Sequence, residues 1–316
     1  MNEPAFTMQQ YLIDVEDNAK HVLSSRAPSF RDGAKLVAMV LSSEEVNASA
    51  VRTAKDQYLI GINTGLLKKF FELFDAIARR YYRRNAFQLN VSEELFFRMV
   101  CGAASEMIFW HEFAHLARGH LFYLKEQGLI TNLELAERLH TASATGDSTD
   151  SRTWQFVELD ADIWGAQFLL SRLVVVLNSK ANQVRPATFL VAYALGIRGA
   201  FEVLHREGYA THTEVQDGTH PHPLSRAYVA LTHGLARAPD MGIPVHEAAR
   251  WSVLAQAAFL DFELNELGMP VNVEVLEAFA ATTLREWREQ EHVLNPYQQL
   301  QAPLATWWGR LFGKKS

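Results

Sequence analysis

The chain has a single cysteine, Cys101, in 316 residues. An intramolecular disulfide is therefore excluded, and such usage fits a reducing compartment. Cys101 itself reads as a small apolar helix residue rather than a reactive thiol. Long apolar runs are missing too. No stretch reaches the roughly 18 to 20 uninterrupted apolar residues of a membrane span, and the nearest, TFLVAYALGIRGAFEVL, is broken by Arg198. The opening MNEPAFTMQQ carries no apolar segment of the secretory kind, so the expected location is cytoplasmic. Positive charge is not in excess. The formal net charge of −6 offers no attraction to a polyanion, and nucleic acid is not expected as a partner. Internal repeats and low-complexity tracts are absent as well.

What is present is a globular composition, 48% hydrophobic and 21% charged, on a chain long enough for one large domain or two smaller ones. Helical periodicity predicts helices over residues 8–24, 64–82, 92–127, 154–178, 185–207, 223–236, 245–267 and 272–292. KLVAMVLSS and QYLIGIN are short β-branched runs that read as strands. TASATGDSTDSRT (141–153) reads as a loop. The fold class is mainly α, of α+β type, with a small sheet. A boundary near 238–243 divides residues 1–238 from a C-terminal helical extension over 239–316. ARRYYRRN admits phosphate binding, but cations at a helix C-terminus are the simpler reading. The tail ATWWGRLFGKKS packs its tryptophans on the domain or touches a membrane surface peripherally.

The chemistry is concentrated in WHEFAHLARGH (110–120). His111 and His115, four apart on a helix, project from one face, so both imidazoles can reach one ion about 2.0–2.1 Å away. Glu112 sits beside the first, offset around the helix, where its carboxylate can take a proton from a metal-activated water. This is the H-E-x-x-H arrangement. Among 12 histidines in a chain of this length, it arises by chance in roughly a few per cent of cases. The flanking Ile108, Phe109, Phe113, Ala114 and Leu116 place it on a buried helix, where uncompensated polar groups are costly. His120 lies about 180° from His111 around an uninterrupted helix, so it reads as a structural or surface histidine. The longer pattern with a glycine and a third histidine is out of register here, since Arg118 and Leu121 occupy those positions.

A third ligand is expected from a later helix, and VELDADIWGAQFLL offers Glu158, Asp160 and Asp162. Glu158 and Asp162 share a face; Asp160 points elsewhere. One carboxylate on that face can ligate while the other accepts the spare N–H of a ligand histidine.

HEFAH followed by ELDAD resembles the signature of gluzincin metallopeptidases, in particular those of the HtpX heat-shock and CAAX-prenyl-protease type. THPHPLSRA resembles a further block of that family, with His220 and Arg226 six apart. HEFAHLARGH is also similar to soluble peptidases such as the Lit phage-exclusion peptidase. The resemblance implies a zincin-like domain over residues 1–238 and one Zn2+ held by His111, His115 and Glu158. It further implies Glu112 as catalytic carboxylate, Asp162 orienting a ligand histidine, His220 stabilising the tetrahedral intermediate and Arg226 supporting the site. His222, also followed by proline, competes with His220 for the cleft. The activity implied is zinc-dependent endopeptidase action on a protein or peptide substrate, with QYLIGIN as a candidate edge strand for the substrate backbone. The alternative is a zinc-binding regulatory or interaction protein with little or no turnover.

Overall fold

The computed structural model describes residues 5–26, 30–53, 56–136, 148–179, 183–205, 223–268 and 271–301. Among the described residues there are nine α-helices and a four-stranded mixed sheet, so the fold is mainly α with a small β component. After α1 (Met8–Arg26) come β1 (Lys35–Leu41), β2 (Ala48–Thr53) and β3 (Gln57–Asn63), then α2 (Thr64–Asn85) and α3 (Glu93–Arg118). The short α4 (His120–Glu126) leads to β4 (Glu134–Ala136) and then to α5 (Ser148–Leu177), α6 (Pro186–His205) and α7 (Pro223–Ala236). A 3-10 turn at Ala238–Met241 precedes α8 (Val245–Asn265) and α9 (Val273–Gln290).

The sheet order is β1-β3-β2-β4, with β1 parallel to β3 and the other neighbours antiparallel. QYLIGIN is β3, an interior strand bonded on both sides, so it has no free edge for a substrate; the edges are β1 and β4. Apolar period identifies a strand but not its neighbours, which is why its position is not readable from the run itself.

Helix α3 is the hub, packing against α1, α2, α5, α6 and the inner strands of the sheet. Its start is set by Ser92, whose side chain accepts from the Leu95 N–H at 3.1 Å, with Glu93 and Glu94 in the first turn meeting the positive end of the dipole. Its end departs from the expected continuous helix over 92–127. Gly119 takes a left-handed conformation, φ 78°, and caps the helix through its own N–H. A side chain there would also overlap the Tyr297 carbonyl, so glycine is required twice over. The chain turns at that point, and His120 starts α4 rather than extending the face opposite His111.

Other expectations shift less. The region read as a loop over 141–153 gives way to α5 at Ser148, and what precedes it, 137–147, lies outside the described residues. The arginines of ARRYYRRN close α2 and engage acids: Arg79 with Glu94, Arg80 and Arg84 with Glu266, Arg83 with Glu93. Helix α6 is apolar and long enough to cross a membrane by length and composition, yet 78% of its apolar window is buried in the fold. It packs between α2, α3, α7 and α8, and its Arg198 is buried against Glu263 at 2.6 Å. Beyond residue 238, α8 lies against α6 and α7, and α9 against α7 and α5. The tail at 305–316 lies outside the described residues.

Candidate metal centre

Helices α3 and α5 bring the site together because α5 has a glycine where they meet. A Cβ at Gly165 would stand only 3.0 Å from the His111 backbone nitrogen and 3.1 Å from its Cα. The close approach sets the carboxylates one and two turns earlier on α5 against the imidazoles of α3. His111, Glu112, His115, Glu158 and Asp162 are all 1% exposed or less.

His111 Nε2 and His115 Nε2 lie 2.9 Å apart. Glu158 places Oε2 3.5 Å from the first and Oε1 3.7 Å from the second. These three residues form the one group of potential metal ligands found among the described residues, with their donor atoms within 4.8 Å of one another.

Hydrogen-bond partners fix which atoms carry protons. Asp162 Oδ1 lies 2.9 Å from His111 Nδ1. A carboxylate only accepts, so Nδ1 of the neutral ring bears the hydrogen and Nε2 presents a lone pair. For His115 the same outcome takes two steps. His120 Nε2 donates to Asp160 Oδ2 at 3.0 Å. Burial lowers the His120 pKa against the opposing pull of Asp160, so the ring is neutral and its Nδ1 accepts. His115 Nδ1, 2.8 Å away, therefore donates, and His115 Nε2 is likewise a lone pair. Two lone pairs and a carboxylate thus converge on one small volume.

The carboxylates are themselves held. Arg226 donates to Asp162 through Nε at 2.6 Å and Nη2 at 2.8 Å, and to Glu158 through Nη2 at 3.1 Å. Arg118 forks onto Asp160 with Nε at 2.8 Å and Nη2 at 3.1 Å. Burial alone would raise the Asp160 pKa, but Arg118 and His120 outweigh it and hold the carboxyl below its ordinary value. Arg118 and Asp160 cancel in charge. Among the described residues, the carboxylates of Glu112, Glu158 and Asp162 outnumber the one guanidinium of Arg226, which bonds the last two, in a region with almost no exposed surface.

This arrangement suits a divalent cation. Tetrahedral zinc with bonds of about 2.0–2.1 Å holds neighbouring ligand atoms about 3.3 Å apart. The separations of 2.9, 3.5 and 3.7 Å bracket that value. A 2+ ion would also balance the buried charge.

Comparison with known protein families, curated proteins and solved structures returns no match to this chain. The case for the site rests on its own geometry.

Of the residues singled out in the sequence, His111, His115, Glu158, Asp162 and Arg226 are brought together, and Glu112 is buried on the same helix. His220 and His222 lie outside the described residues. His120 is fully buried and structural, bonded to His115 and Asp160. The link from Asp160 to His115 is what the sequence reading lacked. The available signal was Gly119, a residue suited to end a helix and redirect the next side chain.

Proposed function

We propose that the chain is a zinc-dependent endopeptidase acting on a protein or peptide substrate. One observation carries the reading: the Nε2 atoms of two buried imidazoles lie 2.9 Å apart beside a buried carboxylate, and their Nδ1 partners assign a lone pair to each. Three acceptors with that geometry call for a cation, and imidazole with carboxylate suits zinc. The resemblance of HEFAH and ELDAD to gluzincin metallopeptidases supports it.

His111, His115 and Glu158 would hold the ion. When bound, zinc supplies Lewis acidity toward a substrate carbonyl and lowers the pKa of a water. Glu112, buried on the same helix, would serve as the proton carrier, accepting a proton on its carboxylate and delivering it to the leaving amine nitrogen. Asp162 keeps the His111 hydrogen on Nδ1, and His120 keeps that of His115 on Nδ1, so both rings stay oriented without a proton on the ligating atom. Arg226 fixes the two carboxylates of α5. With exposures of 1% or less, these residues are shielded from bulk solvent.

The same burial favours a second reading, a zinc-binding regulatory protein with little or no turnover, since a substrate must reach this volume. Glu112 separates the two. Glu112→Gln is expected to retain about one zinc per chain and lose cleavage of an unfolded protein substrate by about 10²-fold or more. Undiminished hydrolysis in that variant removes the general-base role. Zinc in the wild-type chain with no cleavage of any unfolded substrate supports the regulatory reading instead.

A further inference from the structure

The C-terminal end of the described chain lies against the support of His115. After α9 it runs through a 3-10 segment, Glu291–Tyr297, and on to Leu300. The Gln299 N–H donates to the Ala117 carbonyl at 3.0 Å, two residues past His115. Arg118 Nη2 donates to the Glu291 carbonyl at 3.3 Å. Gly119 meets the Tyr297 backbone, and the Tyr123 and Tyr297 rings meet edge-on with centroids 5.4 Å apart. From α9 itself, Trp287 Nε1 donates to Asp160 Oδ1 at 2.9 Å.

Asp160 has no exposed surface. Its Oδ2 accepts from Arg118 Nε and His120 Nε2, and its Oδ1 from Arg118 Nη2 and Trp287 Nε1. Two donors on each oxygen fill the acceptor capacity of the carboxylate and fix its plane. One of the four bonds is made by a residue 127 positions away on α9. Losing it leaves Oδ1 one donor short and the carboxylate plane set by the Arg118 fork without that brace, so Oδ2 can swing off the His120 Nε2. His120 then no longer needs its hydrogen on Nε2. With the hydrogen on Nδ1 instead, His120 would face the Nδ1 of His115 as a donor, and His115 would have to carry its own hydrogen on Nε2. That proton blocks a metal bond.

We propose that the segment from Trp287 to Leu300 is a clamp on the metal centre, with Trp287 a positioning residue that acts through Asp160 and His120. It holds His115 in the tautomer whose Nε2 faces the ion. The inference rests on the metal reading of His111, His115 and Glu158. Its consequence is reciprocal: docking of the C-terminal segment strengthens zinc binding, and zinc strengthens that docking.

Two measurements on the full-length chain test this. In a chelator-competition titration, Trp287→Phe keeps an aromatic ring, though a smaller one, and loses the N–H; zinc binding is expected to weaken about tenfold or more. Its chelated form is expected to stay folded with a lowered melting temperature, since a buried carboxylate oxygen loses a donor. Phe279→Ala, on the exposed side of α9, is expected to bind zinc like the wild type. In the wild-type chain, adding zinc is expected to slow hydrogen exchange over residues 287–300 more than over β1. The second measurement decides alone should Trp287→Phe fail to fold. Wild-type affinity in Trp287→Phe, or no selective slowing, overturns the clamp. A wild-type chain that takes up no zinc in the same titration overturns the metal reading, and the clamp with it.

Discussion

Arg226 is the side chain on which the buried carboxylates depend. It, Glu158 and Asp162 have no exposed side-chain surface, and its guanidinium bonds both acids. Removing one partner of such a group leaves uncompensated buried charge, which costs about 3–5 kcal/mol. Arg226→Met is therefore expected to destabilise the chelated protein by about that amount in denaturant unfolding. The loss should shrink in excess zinc, where the ion offsets part of the negative charge; an equal loss with and without zinc would speak against a cation beside Glu158. Much of this was visible in the sequence. Spacing puts His111 and His115 on one face, and Glu158 with Asp162 on another. That Arg226 would bond both acids needed the packing of α7 on α5, which no local pattern encodes. The same spacing puts Asp160 off the Glu158 face. It does point away, toward Arg118 and His120, and so it supports the site from behind.

At the level of elements, the crossing of α3 and α5 decides whether the ligands meet. Gly165 contacts the His111 backbone, and a branched side chain there cannot be accommodated by a rotamer change, because the neighbour is main chain. Gly165→Val should cost about 1–3 kcal/mol through overpacking. Pushing α5 outward also separates Glu158 from the imidazoles, so zinc affinity should fall together with stability. A Gly165→Val chain with native zinc affinity would show that the crossing does not set the site. The helices themselves were legible where the period is long and the ends are marked, as in α2, α7, α8 and α9. The break at Gly119 was hidden because the apolar period runs on into LFYL, and one glycine in such a run is ambiguous until its φ is known. Strand order was hidden for a different reason. β3 joins β1 in parallel and β2 in antiparallel pairing, a tertiary arrangement that the alternation of one strand does not record.

Across the whole molecule, the C-terminal helices bear on stability as well as on the site. His233, in the last turn of α7, packs edge-on against the Trp287 ring of α9 with centroids 5.2 Å apart. Burial, reinforced by Arg288 and Arg237, lowers its pKa to about 4 from the ordinary 6.5. The unfolded chain thus takes up this proton at a higher pH than the folded one. The contribution of the neutral ring is complete above pH 6.5 and is lost as the pH falls toward 4, by about 3 kcal/mol in all. Chelated His233→Phe is accordingly expected to lose less stability than the chelated wild type between pH 7 and pH 4.5; equal losses would remove His233 as the cause. The central claim concerns the ion itself, and X-ray absorption at the zinc edge on the purified wild-type chain tests it most directly. The account predicts about one zinc per chain, with two imidazole nitrogens and oxygen ligands at about 2.0–2.1 Å, and loss of that signal in His111→Ala. A chain that retains no zinc, or holds a different metal in its place, would contradict it.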